Sequence, residues 1–144
     1  MLRINDIAPN FDALTTSGKL NFHAYLGDSW GILFSHPKDF TPVCTTELGY
    51  MAKIEKEFNS RNCKLIGLSV DSIDDHVAWK KDIEETQNAV VKYPLIADQN
   101  LKIAKLYNML PADEIADEKR TAITNATVRS VFLIDPNKKI RMML

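Results

Sequence analysis

The stretch Trp30-Gly31-Ile32-Leu33-Phe34-Ser35-His36-Pro37, continued by Lys38-Asp39-Phe40-Thr41-Pro42-Val43-Cys44-Thr45-Thr46-Glu47-Leu48, decides how this chain is read. Its first part is an apolar run closed by a proline, the pattern of a strand buried on both faces. Its second part opens a helix. Thr41 offers a hydroxyl at the N-cap, and Pro42 takes the first helical position, where a missing N–H costs nothing. Leu48, Met51, Ile54 and Phe58 then recur at helical spacing, which carries the helix from Pro42 to Asn59.

Outward from that unit, Phe11–Leu14 and Leu20–Phe22, split by Ser17-Gly18, predict a hairpin. Leu65–Val70 predicts a second buried strand. Ser72 with Asp75 reads as a helix cap, and Val77, Trp79 and Ile83 continue into a helix. Leu95–Ala97 is a short strand, and a helix follows over Leu101–Tyr107. Pro111–Thr124 is polar and loop-like. Val131–Ile134 is a strand, Asp135-Pro136-Asn137-Lys138 a turn, and Ile140–Leu144 its hairpin partner. Strands alternating with helices predict one α/β domain over residues 1–144, with a mixed central sheet, flanking helices and an N-terminal β-hairpin. The chain stops inside its last strand, so a C-terminal part is expected to be missing.

The 144 residues are 45% hydrophobic and 26% charged with a formal net charge of -1, ordinary for a globular domain. With no Lys/Arg run, nucleic acid and anionic membrane are poor partners. No apolar run approaches membrane-spanning length, and the first residues lack the apolar core of a signal peptide. Two cysteines make no disulfide framework, which points to the cytoplasm and to reduced thiols. His23, His36 and His76 have no paired ligand spacing, so no metal site is expected.

Most free cysteines serve as small buried hydrophobes. Cys44 is set apart by its place. It falls at the third helical position, where unpaired N–H groups and the positive end of the helix favour thiolate. It lies at the carboxyl end of a buried strand, where α/β proteins hold ligands. It also falls outside the Leu48/Met51/Ile54/Phe58 register. The helix separates it from Cys63 by roughly 24 Å, far beyond the ~7 Å that a disulfide spans. Cys63, opening an apolar strand, is expected to be structural.

Lowering a thiol pKa from about 8.5 to about 6 raises the thiolate fraction at neutral pH only ~30-fold. Enzymes need at least a ~10⁶-fold acceleration. A cation and hydroxyl or backbone donors must therefore face the sulfur. Arg129, at the start of the Val131–Ile134 strand, is the candidate cation, its alternative being an exposed strand-end arginine. His36 either positions a substrate or is a structural imidazole. Glu47, early in the helix, supports the helix dipole and its ion pairs.

Ser35-His36-Pro37-Lys38-Asp39-Phe40-Thr41-Pro42-Val43-Cys44-Thr45-Thr46-Glu47-Leu48 closely resembles the active-site segment of peroxiredoxins, and within them the one-cysteine, peroxiredoxin-six-like subfamily of the AhpC/TSA group. The likeness extends through Gly27–Phe34, Lys64–Ile66, Asp71-Ser72 and Arg129. It implies a thioredoxin-like fold and thiol-dependent reduction of hydrogen peroxide and organic or lipid hydroperoxides. By position, Cys44 is then the peroxidatic cysteine, and Thr41 and Arg129 activate the peroxide. Pro37, His36, Pro42, Val43 and Glu47 shape the pocket. No cofactor is implied. The reductant is an external thiol, such as glutathione or a thioredoxin- or glutaredoxin-type protein. With no second thiol nearby, Cys44 is exposed to over-oxidation to sulfinic acid. The resemblance also implies a homodimer in the full-length form, through a C-terminal dimerisation part that this chain lacks.

Gly27-Asp28-Ser29-Trp30-Gly31 matches G-x-S-x-G, but that elbow needs a strand before the serine and a helix after it, whereas Ser29 precedes a strand. The resemblance also raises, as a lesser alternative, a phospholipase A2-type activity through a serine, a histidine and an aspartate. Ser29 and His23 match two of them, and Asn137 stands at the third, with Asp135 two residues away. The activity is disfavoured because an asparagine in the aspartate's place cannot stabilise an imidazolium as a carboxylate does. A non-enzymatic alternative is a thioredoxin-fold redox sensor or holdase whose thiol titrates normally.

Overall fold

The computed structural model describes residues 2–36, 42–109 and 130–144, with Pro42 and Val43 described by their backbone alone. The strands are β1 (Asp12–Thr15), β2 (Gly18–Asn21), β3 (Trp30–Ser35), β4 (Cys63–Ser69), β5 (Leu95–Ala97), β6 (Val131–Ile134) and β7 (Ile140–Met143). The helices are α1 (Phe22–Leu26), α2 (Pro42–Ser60), α3 (Ile73–Gln87) and α4 (Lys102–Leu106). The strands form one seven-stranded sheet in the order β2-β1-β5-β4-β3-β6-β7. β3, β4 and β5 run parallel, joined by the crossover helices α2 and α3. β1 pairs antiparallel with β2 and β5, and β6 with β3 and β7. The mixed sheet, its flanking helices and the N-terminal hairpin are those expected from the alternation of elements.

The pleat divides the core in two. Leu33, Ile66, Phe132 and Ile134 point to one face and pack with Phe11, Phe22, Leu26 and Tyr107. Phe34, Leu65 and Leu95 point to the other and pack beneath α2 and α3 with Leu48, Trp79, Ile83 and Tyr93. Gly67 in β4 makes room on this second face, because a Cβ there would stand 2.8 Å from Leu95 and 3.1 Å from the Phe34 ring.

Three local expectations are corrected. Phe22 does not end the hairpin but opens α1, because Asn21 Oδ1 accepts from the Ala24 N–H and caps a helix at that point. The buried face of α3 carries His76, Trp79 and Ile83, while Val77 is exposed. The Ser72 cap is present, its Oγ accepting from the Asp75 N–H at 3.1 Å, so the error lies in the register of the stripe. β4 opens at Cys63, as expected, but ends at Ser69, one residue short of Val70. The Pro111–Thr124 loop lies outside the described residues. Among the described residues, no helix is long and apolar enough to cross a membrane.

Candidate active site

Cys44 is the third residue of α2, the helix that leaves the carboxyl end of β3. Its side chain is 1% exposed and belongs to the core cluster beneath α2 and α3. Cys44 therefore lies inside the helix's buried register, not outside it as the spacing implies. Cys44 and Leu48 are four residues apart on one helix face, so the cysteine shares the buried stripe. What remains distinctive is its place in the first turn at a strand's carboxyl end.

The elements around that turn are joined by buried hydrogen bonds. The indole N–H of Trp79, on α3, donates to Thr45 Oγ1 at 2.9 Å. The Tyr93 hydroxyl donates to the Leu48 carbonyl at 3.1 Å, and its ring meets Phe34 edge-on. Unpaired, these buried donors would each cost about 1–3 kcal/mol, so they specify how α2 sits on α3 and the sheet.

His36 follows β3 directly. Its N–H donates to the Leu68 carbonyl at 3.0 Å, which extends the β3–β4 pairing past Ser35. Its ring is buried, 4.8 Å from the Trp79 ring and 6.0 Å from the His76 ring. His76 is fixed in turn, its Nε2 donating to the Ile96 carbonyl at 2.9 Å. His36 also helps to line a pocket of about 560 Å³ beside α2, with Phe34, Glu47, Met51 and Val131. Both readings of His36 thus have a basis: the ring is built into the core, and one side of the residue borders a cavity. Glu47 is exposed at the rim of that pocket.

β6 closes the site from the other side. The Ser35 N–H donates to the Ser130 carbonyl at 2.9 Å, and the Ser130 N–H donates to Ser35 Oγ at 3.0 Å. Arg129, Thr41 and Pro37 lie outside the described residues, as do the side chains of Pro42 and Val43. Sequence reasoning overlooked Trp79, His76 and Tyr93 as parts of this site. The Ser72 cap was the available signal, since it begins the helix that carries two of them.

Cys63 is far from this chemistry. It pairs with Trp30 at the start of β4, and burial pushes its thiol pKa up. The part of α2 from Cys44 to Ser60, about 24 Å of helix, lies between the two free cysteines. The serine constellation is not assembled. Ser29 Oγ bonds Asn62 Oδ1 at 2.9 Å, and His23 Nε2 donates to the Ala8 carbonyl at 2.7 Å. Asp135 is bound to Arg141 at 2.7 Å. Ser29 also precedes β3 directly, so the elbow geometry is absent.

A model of the AhpC/TSA family matches residues 4–143. The chain is 51% identical over 143 residues to the 1-Cys peroxiredoxin of Dictyostelium discoideum, covering 99% of this chain and 56% of that protein. It is 54% identical to the mitochondrial peroxiredoxin PRX1 of Saccharomyces cerevisiae, covering 99% and 54%. It is 51% identical to peroxiredoxin-6 of Homo sapiens, covering 99% and 64%. The chain thus spans a little over half to just under two thirds of these relatives. Among solved structures, a yeast mitochondrial 1-Cys peroxiredoxin, studied for thiol resolution via glutathione/thioredoxin systems, superposes with a TM-score of 0.87 at 53% identity, covering 100% of this chain and 67% of that one. A peroxiredoxin 6 of Arenicola marina gives 0.89 at 41% identity, covering 100% and 64%.

Proposed function

The chain belongs to the AhpC/TSA family, and on that premise we propose that it is a one-cysteine thiol peroxidase acting through Cys44. The observation that carries the reading is the position of Cys44. It is the third residue of a long helix, at the carboxyl end of a central parallel strand, in a chain whose second thiol sits at the far end of that helix.

The Cys44 thiolate attacks one oxygen of the hydroperoxide and the O–O bond breaks. The sulfur is oxidised to sulfenic acid, and the other oxygen leaves as alcohol, or as water from hydrogen peroxide, after taking a proton. Two equivalents of external thiol return the cysteine, releasing water and a disulfide. Thr41 and Arg129 are assigned to stabilising charge on the peroxide oxygens, with Pro37, Pro42 and Val43 shaping the approach. We assign no cofactor, and take glutathione or a thioredoxin-type protein as the reductant. The yeast relative studied with those systems supports a thiol partner. Organic hydroperoxides suit the apolar side of the pocket lined by Phe34, Met51 and Val131. A reducing compartment such as the cytoplasm and a homodimeric full-length form complete the proposal.

Mass spectrometry after one equivalent of hydrogen peroxide tests it. A single added oxygen on Cys44, lost in Cys44→Ser and kept in Cys63→Ser, is the expected result. Full peroxide consumption by Cys44→Ser overturns the assignment. An alkylation midpoint for Cys44 at or above about 8.5 favours the inert sensor or holdase instead.

A further inference from the structure

We propose that Trp79 is a positioning residue for Cys44, acting through Thr45. The inference builds on the reading of Cys44 as the reactive thiol, and concerns what holds that thiol in place. The first turn of a helix is its least secured part, because its N–H groups have no intrahelical acceptors. A turn that frays or rotates carries its side chains with it. Thr45 adjoins Cys44, and its hydroxyl oxygen is tied at 2.9 Å to an indole N–H on a different helix. Trp79 is 0% exposed and Thr45 is 8% exposed, so water does not compete for the bond.

The donor itself stands on a fixed platform. Ser72 caps α3. One turn on, the His76 ring is bonded to the Ile96 carbonyl of β5. The His36 ring packs 4.8 Å from the indole. The sheet therefore holds α3, α3 holds the indole, and the indole fixes the rotation of the turn that carries the sulfur. Displacement of a reacting atom by about 1 Å can cost ~100-fold in rate.

The test uses the whole chain with Cys63→Ser, in four further forms: Trp79→Phe, Thr45→Val, both together, and Thr45→Ser. Cys44 is followed by its oxidation rate with hydrogen peroxide and by its alkylation rate against pH, beside the thermal midpoint. Each single change is expected to slow both reactions about tenfold and to move the alkylation profile. The double variant should be no slower than either single, since both remove one bond. Thr45→Ser, which keeps the acceptor, should recover most of the rate. Unchanged alkylation profiles with only a lower thermal midpoint, or a double variant whose loss is the product of the singles, overturn the proposal. Should Trp79→Phe fail to fold, the Thr45→Val and Thr45→Ser pair decides. If hydrogen peroxide does not oxidise Cys44 at all, the peroxidase reading falls, and the alkylation comparison still decides the positioning role.

Discussion

Ser35 and Ser130 clasp each other across β3 and the start of β6. The Ser35 N–H donates to the Ser130 carbonyl, and the Ser130 N–H donates to Ser35 Oγ, at 2.9 and 3.0 Å. Ser35 ends β3 directly before His36, and Ser130 is the residue after Arg129 in sequence, so the clasp ties the strand beside the candidate pocket to the start of β6. Ser35→Ala leaves a buried N–H without its side-chain acceptor, at a cost of about 1–3 kcal/mol. We expect a lower denaturation midpoint together with slower oxidation of Cys44 by peroxide. A stability loss with an unchanged oxidation rate would show that the clasp serves folding alone.

The Tyr93 hydroxyl and the Leu48 carbonyl form a second tie on α2. Tyr93→Phe keeps the ring against Phe34 and removes only the bond. The expected loss is about 1 kcal/mol, read from chemical denaturation. A neutral result would mean that the carbonyl is already satisfied within the helix.

Gly49 faces Gln87 where α2 crosses the end of α3. A Cβ at Gly49 would stand 2.7 Å from the Gln87 Cβ. Alanine gains about 1 kcal/mol of helix propensity over glycine. Overpacking of this kind typically costs about 1–3 kcal/mol, and the clashing atom lies next to the backbone, where it cannot swing away. Gly49→Ala should therefore destabilise the fold, and a rise in its thermal midpoint would refute the close approach.

Alkaline pH should weaken the fold through its buried phenols. Burial, helped by Glu55 and Cys63, pushes the Tyr25 pKa up to about 12. Burial pushes Tyr93 and Tyr107 up as well. Unfolded tyrosines ionise near about 10. The folded phenols keep their protons to higher pH, so their contribution is intact below about pH 10 and is lost as pH rises towards their folded values. Tyr25→Phe should reduce the loss of stability between about pH 10 and 12, followed by denaturant midpoints at each pH.

Acid should act through Asp135. Burial raises its pKa, but the Lys139 and Asn137 N–H groups and the Arg141 guanidinium outweigh that and hold the carboxyl below its usual range. The stabilisation is present above the unfolded carboxylate value of about 3.9 and is lost as pH falls through the lower folded value. Asp135→Asn should lower stability at neutral pH and flatten this part of the acid limb. An acid limb of unchanged slope in the variant would remove Asp135 from the account.

The strand before Cys44 and the helix that carries it, the alternation of strands and helices through β5, and the β6–β7 hairpin were legible because period, capping and turn chemistry are local properties of the chain. The same locality set the limits of that reading. Between Val77 and His76, one residue of register decides which side chain faces the core, and hydrophobicity pointed to the wrong one. The spacing of apolar residues leaves Cys44 outside a stripe to which it belongs, because only the neighbours supplied by α3 and β4 show where the face lies.

The sequence by itself determined that a thiol opens a helix at the end of a buried strand, since adjacent residues dictate strand, cap and first turn. Tertiary structure alone decided what that turn leans on. Thr45 meets Trp79 across 34 positions and Ser35 meets Ser130 across 95, while Ser29 turns to Asn62 rather than to His23. Such pairs exist only once helices dock on the sheet, because burial is what makes an unpartnered polar group costly enough to select its partner.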